Sequence, residues 1–307
     1  MWKALSGVLL GWSLGANDSA NIFGTGVATG TVKYRTAILL TAFFVLLGSI
    51  LEGPKCMATV GELSRLLPMH AFSCALAAAI TMTILTYLAI PASASQAIIG
   101  AVVGAGIVLG SADFSRLYKV LICWALTPIS GVIVGFCLYK ILEYILNMAI
   151  PRMTHRNVLY SVGILLAGCY GAYSLGSNNV ANVTGVYVGA GIFSAETAAI
   201  IGGLSIASGV ITYSKRVMIT VGKGIAALDP FSALVTVLAT AFILHVFTQI
   251  GVPVSSSQAV VGAVVGVGIV GDARTVSLRV LTKIGVGWLL TPAVAGILAW
   301  VFLVVAR

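Results

Sequence analysis

Read from the N-terminus, the chain alternates long apolar stretches with short polar ones. Apolar blocks run over about 4–31, 36–51, 71–90, 92–110 and 117–142, and again over 158–190, 197–212, 231–250, 254–271 and 280–305. About 20 apolar residues cross roughly 30 Å of hydrocarbon as a helix, and a bilayer admits only helices or closed barrels, because backbone polar groups there need partners within the protein. The pattern predicts an all-α polytopic membrane protein with five blocks in each half. The first block of each half is long and interrupted by polar residues, which predicts a broken helix. Segments 91–110 and 253–271 open on a proline, which ends a preceding helix and suits the first turn of a new one. They are expected to be re-entrant or half-helices.

The halves are copies of one unit. LGANDSAN at 14–21 matches LGSNNVAN at 175–182, PASASQAIIGAVVGAGIV at 91–108 matches PVSSSQAVVGAVVGVGIV at 253–270, and WALTP at 124–128 matches WLLTP at 288–292. Three matches in one order divide the chain into a transmembrane repeat at 1–145, a linker at 146–156 and a second transmembrane repeat at 157–307. An odd number of crossings per repeat sets the copies in opposite orientations. Charge agrees with that inversion. Lys33 and Arg35 follow the first block, whereas the counterpart GIFSAE at 191–196 holds no base; after the next block Lys55 and Arg65 face Lys215, Arg216 and Lys223. Lys and Arg favour the cytoplasmic side, so both termini are expected outside and the linker inside.

Composition fixes the solvent. The chain is 59% hydrophobic and 8% charged, with mean hydropathy +1.09, where soluble domains carry roughly 25% charge. The net charge of +9 sits in short Lys/Arg clusters between apolar blocks, the chemistry of contact with anionic lipid rather than nucleic acid. Five scattered cysteines suggest neither a disulfide framework nor a metal site. The opening MWKALSGVLLGW resembles a signal peptide but lacks a small-residue cleavage site, and its counterpart lies deep in the chain. HExxH does not occur, and the GxSxG spacing at GWSLG (11–15) lies inside an apolar block rather than on a strand-to-helix turn; nothing else marks an enzyme, a catalytic residue or a cofactor.

Polar residues concentrate where the copies agree. On a helix Asn17 and Asn21 stand four apart and Asp18 and Asn21 three apart, so they can share a face; Asn178, Asn179 and Asn182 repeat the pattern. Carboxylate and amide oxygens suit a small alkali cation, completed by carbonyls freed at a helix break. A single Asn is equally a hydrogen-bonding element between helices, but a duplicated cluster with an intramembrane acid favours a site. The new helix N-termini after Pro91 and Pro253 offer unpaired N–H groups and a positive dipole end. Ser93, Ser95, Gln96, Ser255, Ser256, Ser257 and Gln258 surround them with donors. Serine N-capping explains one hydroxyl at each end, not the repeated set. No Lys or Arg lies within these elements, so an anion held there needs a co-bound cation in the low dielectric, and coupling follows.

GANDSANIFGTGVATG and GSNNVANVTGVYVGAG closely resemble the twin signature of the inorganic phosphate transporter (PiT) family, and PxSxSQ in each half resembles that family's second paired segment. The resemblance covers both halves. It implies a sodium- or proton-coupled symporter for inorganic phosphate, built of inverted repeats, commonly a homodimer, in the inner membrane of a prokaryote. By motif match Asp18, Asn21, Asn179 and Asn182 would hold sodium, alongside Asn17 and Asn178, while Thr25 would join the Ser/Gln segments at phosphate. The chain departs from relatives at Val45, where eukaryotic members carry Glu, and at Asn179, where an acid is common. Phosphate keeps a P–OH donor at neutral pH and sulfate has none, so a buried acceptor separates them; Asp18 is a candidate acceptor as well as the first candidate cation ligand. A proton-coupled oxyanion carrier, including one for sulfate, and a passive anion channel are the rival readings.

Weaker candidates have plainer explanations. His245 reads as a hydrogen-bonded packing residue, His70 and His155 as solvated loop residues. Trp2, Trp12, Trp124, Trp288 and Trp300 read as interface anchors or packing, and the aligned Lys55 and Arg216 as lipid contacts or brackets around the site.

Overall fold

A computed structural model describes residues 2–63, 66–88, 90, 92–112, 114–149, 153–224, 228–270 and 278–305. Its regular structure is helical, with no strand among the described residues. The first repeat supplies α1 (Leu5–Asp18), α2 (Ala20–Ala28), α3 (Tyr34–Glu52), α4 (Pro54–Gly61), α5 (Pro68–Tyr87), α6 (Ala94–Leu109) and α7 (Phe114–Ala149). The second supplies α8 (Met153–Gly189), α9 (Ala195–Tyr213), α10 (Lys215–Gly224), α11 (Pro230–Ile250), α12 (Ser256–Val270) and α13 (Leu278–Val305).

Seven of these, α3, α5, α7, α8, α9, α11 and α13, are long and apolar enough to cross a bilayer. Leu39, Phe43, Ile133, Leu289 and Ile297 stand exposed on α3, α7 and α13, as lipid-facing side chains do where no water penalises them. Helices α6 and α12 have only 16 and 15 residues, too short to span on their own at 1.5 Å per residue, as the sequence predicts for half-helices. They begin three residues after their prolines rather than on them, because Ser93 and Ser255 take the cap position.

Three features differ from the sequence reading. The break in the first block occurs in the first repeat only: α1 and α2 part at Ser19, whereas α8 runs unbroken through 178–182. The position equivalent to Ser19 is Val180. The short α4 and α10 fall between the apolar blocks and are too brief and mixed to register as spans; in α4 Cys56, Met57 and Val60 turn inward. Much of the 146–156 linker is helical, since α7 continues to Ala149 and α8 begins at Met153.

Packing is reciprocal between the repeats. Helix α1 lies on α9 as α8 lies on α3; α6 lies on α13 as α12 lies on α7; α4 lies on α8 as α10 lies on α2. The halves are therefore interlocked. The α6–α13 and α12–α7 contacts are backbone to backbone: a Cβ at Gly100 would stand 2.3 Å from the Pro292 carbonyl oxygen, and one at Gly262 would stand 2.3 Å from that of Pro128. Close approach of this kind is what small residues provide when lipid supplies no hydrophobic drive. Gly262→Ala is expected to destabilise the fold by about 1–3 kcal/mol through overpacking. A lowered thermal midpoint in detergent would register it.

Candidate functional site: two hairpin tips against a broken helix

Helices α5 and α6 form one hairpin and α11 and α12 another, and the sequence specifies how each tip is held. Asn17 donates from Nδ2 to Thr86 Oγ1 and to the Ile90 carbonyl, both at 3.1 Å, and its Oδ1 accepts the Ala92 N–H at 3.1 Å. Asn178 does the same for the second hairpin, donating to Thr248 Oγ1 at 3.1 Å and the Val252 carbonyl at 3.2 Å while accepting the Val254 N–H at 2.8 Å. An extended tip inside a membrane has no water for its backbone groups, and these amides supply the missing partners. Asn17 lies near the middle of the α1–α2 rod, so the first tip stops partway across.

The tips touch each other and then the acid. Ser257 Oγ donates to the Ala92 carbonyl at 3.0 Å, from one tip to the other. Ser93 and Ser255 cap α6 and α12, accepting the N–H of Gln96 at 3.3 Å and of Gln258 at 3.2 Å, and their hydroxyls pair with Ser95 and Ser257. Ser256 Oγ donates to Asp18 Oδ2 at 2.8 Å and accepts from Asn21 Nδ2 at 3.0 Å. This bond joins the first signature to the second hairpin. Its counterpart cannot form, because the position equivalent to Ser256 is Ala94; Asn182 Nδ2 donates to Asn179 Oδ1 instead, at 2.8 Å.

Asp18, Asn21, Asn179 and Asn182 are no more than 3% exposed. Eleven buried side-chain N and O atoms among the described residues lack a partner in the protein, and all but that of Thr83 belong to the repeated motifs. They include Asp18 Oδ1, Asn21 Oδ1, Asn182 Oδ1, Gln96 Oε1, Gln258 Oε1 and Thr25 Oγ1. Buried polar atoms are almost always paired, so a concentration of lone oxygens identifies a place built for something other than protein. The six-residue cation set read from sequence divides accordingly. Asn17 and Asn178 have both ends of their amides engaged with the hairpin tips, Asp18, Asn21 and Asn182 each keep an oxygen free, and Asn179 has its Oδ1 engaged by Asn182 and its Nδ2 without a partner.

Fixed charge stays at the flanks. Lys55 Nζ lies 3.2 Å from Glu52 Oε1 and 2.8 Å from Gln249 Oε1, beside the second tip; the Arg216 guanidinium lies 5.7 Å from the Tyr87 ring, beside the first. The two do bracket the hairpins. His245 is held between Tyr170 Oη at 2.8 Å and Glu52 Oε2 at 3.3 Å, the hydrogen-bonded packing role read from sequence. No cluster of three or more His, Cys, Asp or Glu residues suited to a metal occurs among the described residues.

From sequence, Trp124 and Trp288 read as interface anchors or packing, with no part in the site. Their indole nitrogens are among the unpartnered atoms, and both line one cavity with Gln96 and Gln258. The recurrence of WxLTP was the available signal. Two other cavities, of about 430 and 890 Å³, lie against α13 and are walled mainly by apolar side chains, which offers little to an ion.

Comparison with known proteins agrees with this architecture. A model of the PHO4 phosphate transporter family matches residues 14–299. A candidate phosphate permease of Methanocaldococcus jannaschii is 29% identical over 288 residues, spanning 94% of this chain and 91% of that protein. The sulfate permease CysP of Bacillus subtilis is 26% identical, spanning 91% and 80%. Among solved structures, one of a sodium-dependent phosphate transporter superposes with a TM-score of 0.84 over 98% of each chain at 22% identity, a likeness of fold. With its signatures, its interlocked hairpins and a family match across nearly its whole length, the chain belongs to the PHO4 phosphate transporter family of multi-pass membrane transporters.

Proposed function

We propose that the chain is a sodium-coupled symporter that carries inorganic phosphate into the cell. The carrying observation is the set of buried oxygens without partners: those of Asp18 and Asn21, where the first signature meets the second hairpin, and that of Asn182 in the second signature. Asp18, Asn21, Asn179 and Asn182 form the sodium sites. Hard oxygens and one carboxylate suit sodium, and a carboxylate left in hydrocarbon without a counter-ion is strongly disfavoured. The N-termini of α6 and α12, with Ser95, Ser256, Ser257, Gln96, Gln258 and Thr25, receive phosphate through dipoles and neutral donors. Ser93 and Ser255 shape these ends as caps.

Neither charge is comfortable alone. With no Lys or Arg at the site, phosphate relies on sodium for compensation and sodium on phosphate, which makes their movement obligatory together. The reciprocal helix contacts support inverted repeats and alternating access around a midplane site. The loop charges support outside termini and an inside 146–156 linker. The chain is taken as a homodimer of the inner membrane.

Labelled phosphate uptake into proteoliposomes tests this reading. Uptake against a gradient is expected when sodium is high outside, and loss of uptake when choline replaces sodium. Uptake driven equally by a pH gradient alone would assign the coupling to protons, and uptake that only equilibrates would make the protein a channel.

A further inference from the structure

The cavity at the start of α6 and α12 has a volume of about 610 Å³ and is lined by Thr282 and by two repeat-related pairs of polar side chains, Gln96 with Gln258 and Trp124 with Trp288. The two pairs contribute Gln96 Oε1, Gln258 Oε1, Trp124 Nε1 and Trp288 Nε1 to the unpartnered buried atoms. Gln96 and Gln258 are 4% and 5% exposed and Trp124 is 9% exposed, so water does not account for them as it would for surface groups. The side chains carrying these two donors and two acceptors line one space, and the four atoms do not bond to each other.

The backbone holds this arrangement in place. Gln96 and Gln258 lie in the first turn of their half-helices, fixed by the Ser93 and Ser255 caps. Trp124 and Trp288 lie four residues before Pro128 and Pro292 in α7 and α13. Proline has no N–H for the carbonyl four residues back, so the Trp124 and Trp288 carbonyls lose their usual helical partner. The close Gly100–Pro292 and Gly262–Pro128 contacts then lock α6 to α13 and α12 to α7, setting each Gln beside the Trp of the opposite repeat's helix.

We propose that these four residues are the selectivity element of the oxyanion path: Trp124 and Trp288 donate to ionised oxygens, and the amide oxygens of Gln96 and Gln258 each accept a hydrogen bond from one of the two hydroxyls of dihydrogen phosphate. An indole N–H is a donor only, while a Gln carbonyl oxygen is an acceptor only. Sulfate at neutral pH has four oxygens and no proton. It would satisfy the indoles and leave both carbonyls facing its own negative oxygens. Rejection of an analogue that leaves a buried polar group unpaired is far stronger than rejection by size. The proposal rests on the reading of the protein as a phosphate carrier, and it moves the choice between phosphate and sulfate from Asp18 to the Gln pair.

The test is sodium-driven phosphate uptake in proteoliposomes, with sulfate as competing inhibitor, in wild type and in Trp124→Phe, Trp288→Phe, Gln96→Met and Gln258→Met. Removing a hydrogen bond to a charged group is worth a factor of about ten or more. Each Trp→Phe change is expected to weaken phosphate and sulfate together by that factor. Each Gln→Met change is expected to weaken phosphate by a similar factor and leave sulfate inhibition unchanged or stronger, so that the preference falls. Intrinsic Trp fluorescence of the wild type covers variants that do not fold: with sodium present, phosphate should shift the emission, and the shift should shrink in either Trp→Phe protein. Unchanged preference in both Gln variants, or no fluorescence response at saturating phosphate, overturns the inference. Failure of the carrier reading looks different, since wild type itself would then show no sodium-driven phosphate uptake; a wild type preferring sulfate would overturn both.

Discussion

Asp18→Asn is expected to abolish sodium-driven phosphate uptake while leaving the protein folded. Asn fills nearly the same volume, and its amide still reaches Ser256, which now gives Asp18 a 2.8 Å hydrogen bond. What disappears is charge. Two unit charges about 4 Å apart interact by ~4 kcal/mol at an effective dielectric near 20, and each ~1.4 kcal/mol is a decade in affinity. Sodium half-saturation should therefore rise by roughly a thousandfold, beyond any workable sodium concentration. The readouts are uptake at rising external sodium and a size-exclusion profile matching wild type. Residual uptake with normal sodium dependence would show that the coupling cation binds elsewhere. Because the Gln pair is assigned the choice of anion, any remaining uptake should still favour phosphate over sulfate.

Asn178→Ala should have the largest effect on stability. Truncation removes the acceptor of the Val254 N–H and the donor to the Val252 carbonyl, in a tip with no water to replace them. Each of the two orphaned backbone groups is disfavoured by ~1–3 kcal/mol, which gives a total loss of about 2–6 kcal/mol. A marked drop in thermal midpoint and faster cleavage at 251–255 under limited proteolysis should follow. Asn182→Ala, although only four residues away, breaks a single side-chain bond to Asn179. It should leave the midpoint nearly unchanged and weaken sodium dependence instead. Equal destabilisation by both changes would remove the distinction between latch and ligand.

The exchange of Ser256 for Ala94 between the two tips carries a further consequence. The acid-bearing signature is tied to the opposite hairpin, and the acid-free one is tied to itself. The two signatures are thereby inequivalent in both charge and attachment. Ser256→Ala should weaken sodium dependence by about tenfold, the typical value of one charge-assisted hydrogen bond, and equilibrium binding of sodium measured calorimetrically would check it.

Sequence by itself determined the solvent, the helical class, the duplication and the inventory of polar residues. Each depends on periodicity or identity along the chain, and a bilayer narrows the permitted structures to very few. It also placed two half-helices at the proline-led segments, since proline acts on its own neighbours. Roles within the polar inventory were settled only in three dimensions. Asn17 and Asn21 are four apart and nominally share a helix face, yet the break at Ser19 turns one to the first hairpin and the other to Ser256 of the second. Helices α4 and α10 were too short to show as spans, and their inward faces have meaning only against α8 and α2. Trp124 and Trp288 looked like interface residues because a side chain's environment is set by what long-range packing brings against it. The chain specified which atoms need partners; folding decided which of them found one, and most of the atoms left over mark the candidate site.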